Sequence, residues 1–213
     1  MRFDEYRRHD ATALAGLIAK GDVSAGEVLE AAIARAEEVN PAINAVVHKQ
    51  YDQARRAAGA GPAKGPFKGV PYLIKDLGFF EKGEPARYGS SLFADFVADH
   101  DSAYVRRCKE AGLVFMGRSS TPEFGLSPNT EPRLYGSCRN PWSLEHSAGG
   151  SSGGAAAAVI AGICRWRTPP TAAAPSAFRQ PSAACSASSR RAAAFPWRRM
   201  QASPGAGFPP GTW

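Results

Sequence analysis

Apolar positions in the first 163 residues recur alternately at helical and strand spacings. Leu14, Leu17 and Ile18 share one face of a helix predicted from its N-cap, Asp10, to about Lys20, with Gly21 ending it. Ser24-Ala25-Gly26-Glu27 forms a capping box, and Val28, Leu29, Ala32, Ile33 and Ala36 stripe the helix it opens. That helix is predicted to stop near Val39, at Asn40-Pro41. Ile43 to Val47 reads as a strand, Tyr51 to Ala60 as an exposed Ala/Arg-rich helix, and Gly61 to Pro66 as a polar turn. Val70 to Ile74 is a short apolar run suited to a buried strand. Ser102 to Ala111 reads as a helix with Val105 and Cys108 inward, and Gly112 to Gly117 as a second buried strand. Arg118 to Gly125 follows as a polar turn with many hydroxyls. Asn129 to Ala148, rich in Pro, Gly, Asn and Arg, predicts a long loop in which Asn140-Pro141-Trp142 turns under a packed indole. Ala155 to Ile163 is an apolar run that predicts a buried helix. Helices and strands in this order predict an α/β fold, a mixed sheet flanked by helices.

The pattern ends at Ile163, and so does the charge balance. From Cys164 to Trp213 there are seven arginines and no Asp, Glu or Lys. That leaves 19 of the 26 Lys and Arg against all 19 Asp and Glu in residues 1–163, so the whole net charge of +7 lies in the last stretch. Eight of the 17 prolines lie there too. Two kinds of sequence are therefore expected: an α/β body over 1–163 and an irregular Arg/Ala/Pro/Ser-rich tail over 164–213. Cys108, Cys138, Cys164 and Cys185 form no CxxC pair and have no zinc-like His spacing, which predicts free thiols and no metal. The N-terminal Met1-Arg2-Phe3-Asp4-Glu5 has no apolar signal core, and no segment has eighteen uninterrupted apolar residues. A cytoplasmic protein off the membrane is expected.

Two stretches suggest chemistry. Gly149-Gly150-Ser151-Ser152-Gly153-Gly154 runs directly into the apolar helix. Glycines let the backbone approach a ligand closely, and a helix start offers unpaired N–H groups to hydroxyls held there. A Gly/Ser linker is the alternative. Lys75 stands at the end of the Val70–Ile74 strand, where a buried ammonium is expensive. It could pair with Asp76, point to the surface, or be kept neutral by burial to act as a base.

GVPYLIKDL at 69–77, RSSTPEFG at 118–125, RNPW at 139–142 and GGSSGG at 149–154 stand in the order and spacing of the amidase signature family. The chain resembles the N-terminal third of a member over roughly residues 5–163. Over 10–150 it is most similar to the branch that includes 6-aminohexanoate cyclic-dimer hydrolase. The resemblance implies an N-terminal fragment of that family's fold and a cofactor-free Ser–cis-Ser–Lys hydrolase of small amides. Lys75 matches the lysine base, Ser151 the bridging serine and Ser152 a supporting serine, with Gly149 and Gly150 beside them. Tyr72, Phe124 and Asn129 are candidates for the pocket border, though each is as simply explained by packing. A homo-oligomer is left open.

The family's nucleophilic serine lies in a second motif, DxGGSxRxPA, twenty-four residues after the bridging serine. This chain has Pro175 there and no Gly-Gly-Ser after Gly154. Loss of one base after codon 163 accounts for this. The first two bases of each printed codon then become the last two of the intended one. Thr171 permits Asp, Ala172 to Ala174 permit three glycines, and Pro175 permits Ser. Ser176 permits Ile, Ala177 permits Arg and Arg179 permits Pro. Cys185 to Arg191 permits LFGLKPS, and Pro196 to Gln201 permits SLAPDA. An inactive, truncated amidase is therefore expected. Its sheet edges and Ala155–Ile163 helix should be exposed, and its tail should not pack. Two other functions compete. A basic arm on an α/β module could grip nucleic acid, but such arms usually carry lysine and interleaved aromatics. A phosphate loop at GGSSGG lacks the Gly-Lys-Ser/Thr ending.

Overall fold

The computed structural model describes residues 1–61 and 65–165. A single turn, α1 (Phe3–Tyr6), opens the chain, and buried Tyr6 donates its hydroxyl to Ile163 O at 2.9 Å. The first residues are thereby fastened to the last helix of the body. Helix α2 (Ala11–Lys20) is capped by the Asp10 carboxylate, which accepts from Ala13 N, and ends at Gly21 with φ 80°. Helix α3 (Ala25–Ile43) starts at the predicted capping box: Ser24 Oγ accepts from Glu27 N, and the Glu27 carboxylate accepts from Ser24 N.

The Asn40-Pro41 stop is overturned, because α3 runs through Pro41 to Ile43. A proline in the last turn removes only a donor near the helix end, and the exit is rebuilt around Asn40. Asn44 N donates to Asn40 O at 2.8 Å while Asn44 takes a left-handed cap conformation at φ 50°. The Asn40 side chain accepts from Ala45 N and Val46 N at 2.8 and 2.7 Å and donates to Val46 O at 2.9 Å. Ile43 therefore belongs to the helix, and strand β1 (Val46–Lys49) begins three residues later than its pattern predicts.

Helix α4 (Tyr51–Gly59) follows; it is not wholly exposed, since Ala54 and Ala58 are buried. Strand β2 (Pro71–Lys75), helix α5 (Ala103–Glu110) capped by Ser102, and strand β3 (Val114–Ser119) complete the main layer. The sheet order is β1-β3-β2, with β1 antiparallel and β2 parallel to β3. Central β3 is buried along its whole length. Gly117 at φ 155° lets β1 close on it, since a Cβ there would stand 2.3 Å from His48 O. The polar turn predicted from Arg118 starts two residues late. Arg118 and Ser119 lie in the strand, and they, Ser120 and Thr121 have no exposed surface.

The long loop contains a small hairpin, β4 (Arg139–Asn140) and β5 (Ser143–Ser147). Asn140-Pro141-Trp142 does turn the chain there, but Trp142 is 70% exposed, so its indole is not packed. Helix α6 (Gly153–Ile160) packs on β2 and β3 through buried Ala157 and Ala158, while Ile160 is 37% exposed. Leu14, Val28, Leu29, Ile74, Val105, Val114, Met116 and Ile163 fill the core between helices and sheet.

Cys108, Cys138 and Cys164 are buried free thiols. No helix among the described residues is long and apolar enough to cross a membrane. Cys185, Pro175, the expected irregular tail and its proposed nucleic-acid arm lie outside the described residues.

Asn40→Ala leaves two amide donors at the α3 exit without their acceptor. It is expected to cost about 1–3 kcal/mol, seen as a lower urea midpoint at unchanged slope. A midpoint equal to the parent's would show that the Asn40 bonds contribute nothing net.

Candidate active site

Side chains alternate along β2, so Pro71, Leu73 and Lys75 share a face, and Lys75 ends the strand. Its Nζ donates to Ser151 Oγ and Ser152 Oγ, each at 3.1 Å. No carboxylate among the described residues pairs with it. Asp76, weighed above as its partner, is 1% exposed and otherwise engaged. One Asp76 oxygen accepts from Arg87 N at 2.9 Å. The other accepts from Gly89 N at 3.3 Å and from the Tyr135 hydroxyl at 2.9 Å. Burial with no opposing anion pulls the Lys75 amine down to about 8. About one amine in ten is therefore neutral at pH 7, against about one in three thousand at the ordinary 10.5, and a neutral amine holds a lone pair that can take a proton.

The serine loop is held to the sheet by two threonines. Thr130 is fully buried; its Oγ1 donates to Gly149 O at 2.7 Å and accepts from Gly153 N at 3.1 Å, closing the loop from both ends. Thr121 Oγ1 donates to Ser151 O at 3.1 Å. The Gly150–Ser151 peptide bond is cis. Ser152 occupies the N-cap of α6 without capping it, and its hydroxyl faces Lys75 instead. Close approach explains Gly154: a Cβ there would lie 2.4 Å from Ser120 N.

Lys75, Ser151, Ser152, Gly149 and Gly150, all singled out in the sequence, thus meet at the C-terminal end of β2. The candidate pocket residues do not join them as a group. Tyr72 bonds the Tyr104 hydroxyl at 2.7 Å and packs on Phe115, on the other face of the strand. Phe124, at φ 53° and 42% exposed, packs against Tyr88 and Phe93. Asn129 is exposed. Thr121 lies inside the quoted RSSTPEFG stretch but was given no role, and Thr130 carries no sequence signal of its own; sequence reasoning missed what both do. A shallow depression of about 620 Å³ lies elsewhere, lined by Met1, Phe3, Ser24 and Glu27 among others. No group of His, Cys, Asp or Glu among the described residues could hold a metal.

Comparison with known proteins gives one family. The amidase family model matches residues 27–167. The chain is 44% identical to 6-aminohexanoate-cyclic-dimer hydrolase of Paenarthrobacter ureafaciens over 143 residues, which are 66% of this chain and 29% of that protein. It is 41% identical to an acylamidase of Rhodococcus erythropolis over 160 residues, 72% of this chain and 33% of the relative. The solved structure of 6-aminohexanoate cyclic dimer hydrolase superposes with a TM-score of 0.70, covering 73% of this chain and 32% of that one. The chain therefore spans about a third of the length of these relatives.

The Lys75 amine should titrate near pH 8, read by NMR of its ε-methylene, against the ordinary 10.5. A folded value below the unfolded one means the unfolded chain binds more protons between pH 8 and 10.5. Stability from this group therefore rises with pH across that window and is lost below it. Titration near 10.5 would show the amine to be solvated. Thr130→Val should free both ends of the serine loop, admit water and move the amine back up toward 10.5; an unmoved titration would show that Thr130 does not hold the site dry.

Proposed function

Because the chain belongs to the amidase family, we propose that its body is the base-bearing part of an active site that hydrolyses carbon–nitrogen bonds in linear or cyclic amides. The observation that carries this reading is a lysine with no counterion among the described residues, 3.1 Å from each of two adjacent serine hydroxyls. Neutral Lys75 takes the proton of Ser151, which takes the proton of a nucleophilic hydroxyl as that oxygen attacks the amide carbonyl. Ser152 accepts one N–H of Lys75 and keeps its lone pair aimed at Ser151. The charged lysine then returns the proton by the same route to the leaving amine, and water hydrolyses the acyl-enzyme. Backbone N–H groups of a glycine-rich turn would hold the oxyanion.

Position 175, where the resemblance puts the nucleophile, is proline, and a proline ring has no group that can attack a carbonyl. The 213-residue chain is therefore read as inactive. Likeness to the cyclic-dimer hydrolase and the acylamidase supports a small uncharged amide as the substrate class.

The printed chain should show no covalent labelling by a serine-directed fluorophosphonate, and labelling above a boiled control would refute the inactivity. Residues 1–163 joined to the remaining part of the cyclic-dimer hydrolase should hydrolyse amides. Lys75→Ala in that chimaera should lose about 10²–10⁴-fold in kcat with its melting temperature kept. An unchanged kcat would remove Lys75 from the mechanism.

A further inference from the structure

A nitrogen that can take a proton can also attack carbon, and which it does depends on where its lone pair points. A neutral lysine amine has two N–H bonds and one lone pair. Lys75 Nζ donates to two acceptors, Ser151 Oγ and Ser152 Oγ, each at 3.1 Å. In the neutral amine these two bonds take both hydrogens, and tetrahedral geometry turns the lone pair away from both serines. With both hydroxyl oxygens accepting, neither serine is losing its proton. The nucleophile left at the site is the nitrogen itself.

That nitrogen can be reached from water. Lys75 and Ser151 are partly exposed, and Ser152 is exposed. No anion competes for it, since the Asp76 oxygens are taken by Arg87 N, Gly89 N and the Tyr135 hydroxyl. Desolvation alone lowers its basicity. Other described lysines stand differently. Lys49 lies 2.7 Å from Glu37 and Lys109 lies 2.9 Å from Asp101, and a carboxylate holds an ammonium. Lys20 and Lys82 are exposed, where water does the same.

We propose that Lys75 is an acylation site, whose amine takes the acyl group of a small uncharged activated ester or thioester and keeps it as an amide. Nζ attacks the carbonyl carbon, and the N–C bond forms as the C–O or C–S bond breaks. The leaving oxygen or sulfur departs with the bonding electron pair. One Nζ proton passes to it through the hydroxyl of Ser151 or Ser152. Nothing is oxidised or reduced, and no further reactant is needed. The described site offers hydroxyls and no charged partner, which suits an uncharged donor. An acylated Nζ is no longer basic, so the modification switches off any proton transfer that runs through Lys75. The proposal rests on the position of the amine and not on the amide-hydrolase reading.

The test is to incubate the full 213-residue chain at neutral pH with p-nitrophenyl acetate, treat it with hydroxylamine, and map acetyl groups by mass spectrometry. Hydroxylamine removes esters from serine and leaves amides on lysine. Lys75 is expected to carry about tenfold more acetyl than any other described lysine. Its neutral fraction is about 300 times that of an ordinary lysine, and nucleophilicity that falls with basicity offsets part of this. In concentrated urea the preference is expected to vanish. Even labelling of the lysines in the folded chain, a preference for Lys75 that survives urea, or acetyl found only as hydroxylamine-labile ester overturns the proposal. Even labelling, with amide hydrolysis by the chimaera described above, overturns the acylation alone. Selective acetylation of Lys75, with a chimaera that hydrolyses no amide, supports the acylation and overturns the amide-hydrolase reading.

Discussion

The site depends on keeping negative charge away from one lysine. A carboxylate about 4 Å from Lys75 would favour the ammonium by several kcal/mol at an effective dielectric near 20 and return the amine to its ordinary range. Asp76 is the next residue in the chain, yet its oxygens are filled by two backbone N–H groups and the Tyr135 hydroxyl. The other acids at this end of the sheet, Glu81 and Glu84, act together with Asp76 on buried Arg118, which also donates to Phe79 O. Glu81 lies 3.4 Å from the Lys109 amine and Glu84 3.0 Å from the His48 ring, so these acids are engaged elsewhere and Lys75 is left with hydroxyls. Asp76 follows the last residue of β2, and its N–H still bonds Ser119 O at the end of β3, so the extended backbone turns its side chain away from that of Lys75. The Lys-Asp pair is thus a device for separating a base from a charge cluster within one peptide unit.

A relay through hydroxyls also needs the serine loop fixed against the strand end. Small residues and threonine hydroxyls do this together. Gly154 lets the loop backbone lie against Ser120, and Thr130 ties Gly149 to Gly153 across the two serines. The side chain on each serine is then free for Lys75, because the loop's own backbone groups are satisfied by the threonines. Loop residues held this way behave as part of the sheet.

Most of the frame was legible in the residues because local chemistry decides it. Asp10 and Ser24 cap the helices they were read to cap, and the β2 and β3 runs are apolar enough to form strands of the buried sheet. The failures are where tertiary partners override local preference. Pro41 does not end α3 because the Asn40 side chain supplies the exit bonds from a distance of five and six residues. Arg118 and Ser119 read as the start of a polar turn, yet they end β3 and are fully buried, and no pattern in one sequence announces a buried guanidinium. Trp142 reads as a packed ring, but the turn between β4 and β5 leaves it 70% exposed. The lysine and the two serines were visible through their unusual positions. The work of the threonines was not, since a hydroxyl in a polar loop does not say which carbonyl it will reach, even where Thr121 stands inside RSSTPEFG.

The buried polar end of β3 is the cost of this arrangement. A buried donor or acceptor without a partner costs about 1–3 kcal/mol. The end of β3 carries four side-chain atoms that find no partner among the described residues: two on Arg118 and one each on Ser119 and Ser120. A domain's net stability is only about 5–15 kcal/mol, so four such atoms weigh heavily against it. Arg118, Ser119 and Ser120 have no exposed surface, so chain laid on the outside of the body does not reach them, and the ordinary partner for such groups is a buried water that bonds several of them at once. The apolar packing around β3 has to offset the polar interior that stands beside Lys75.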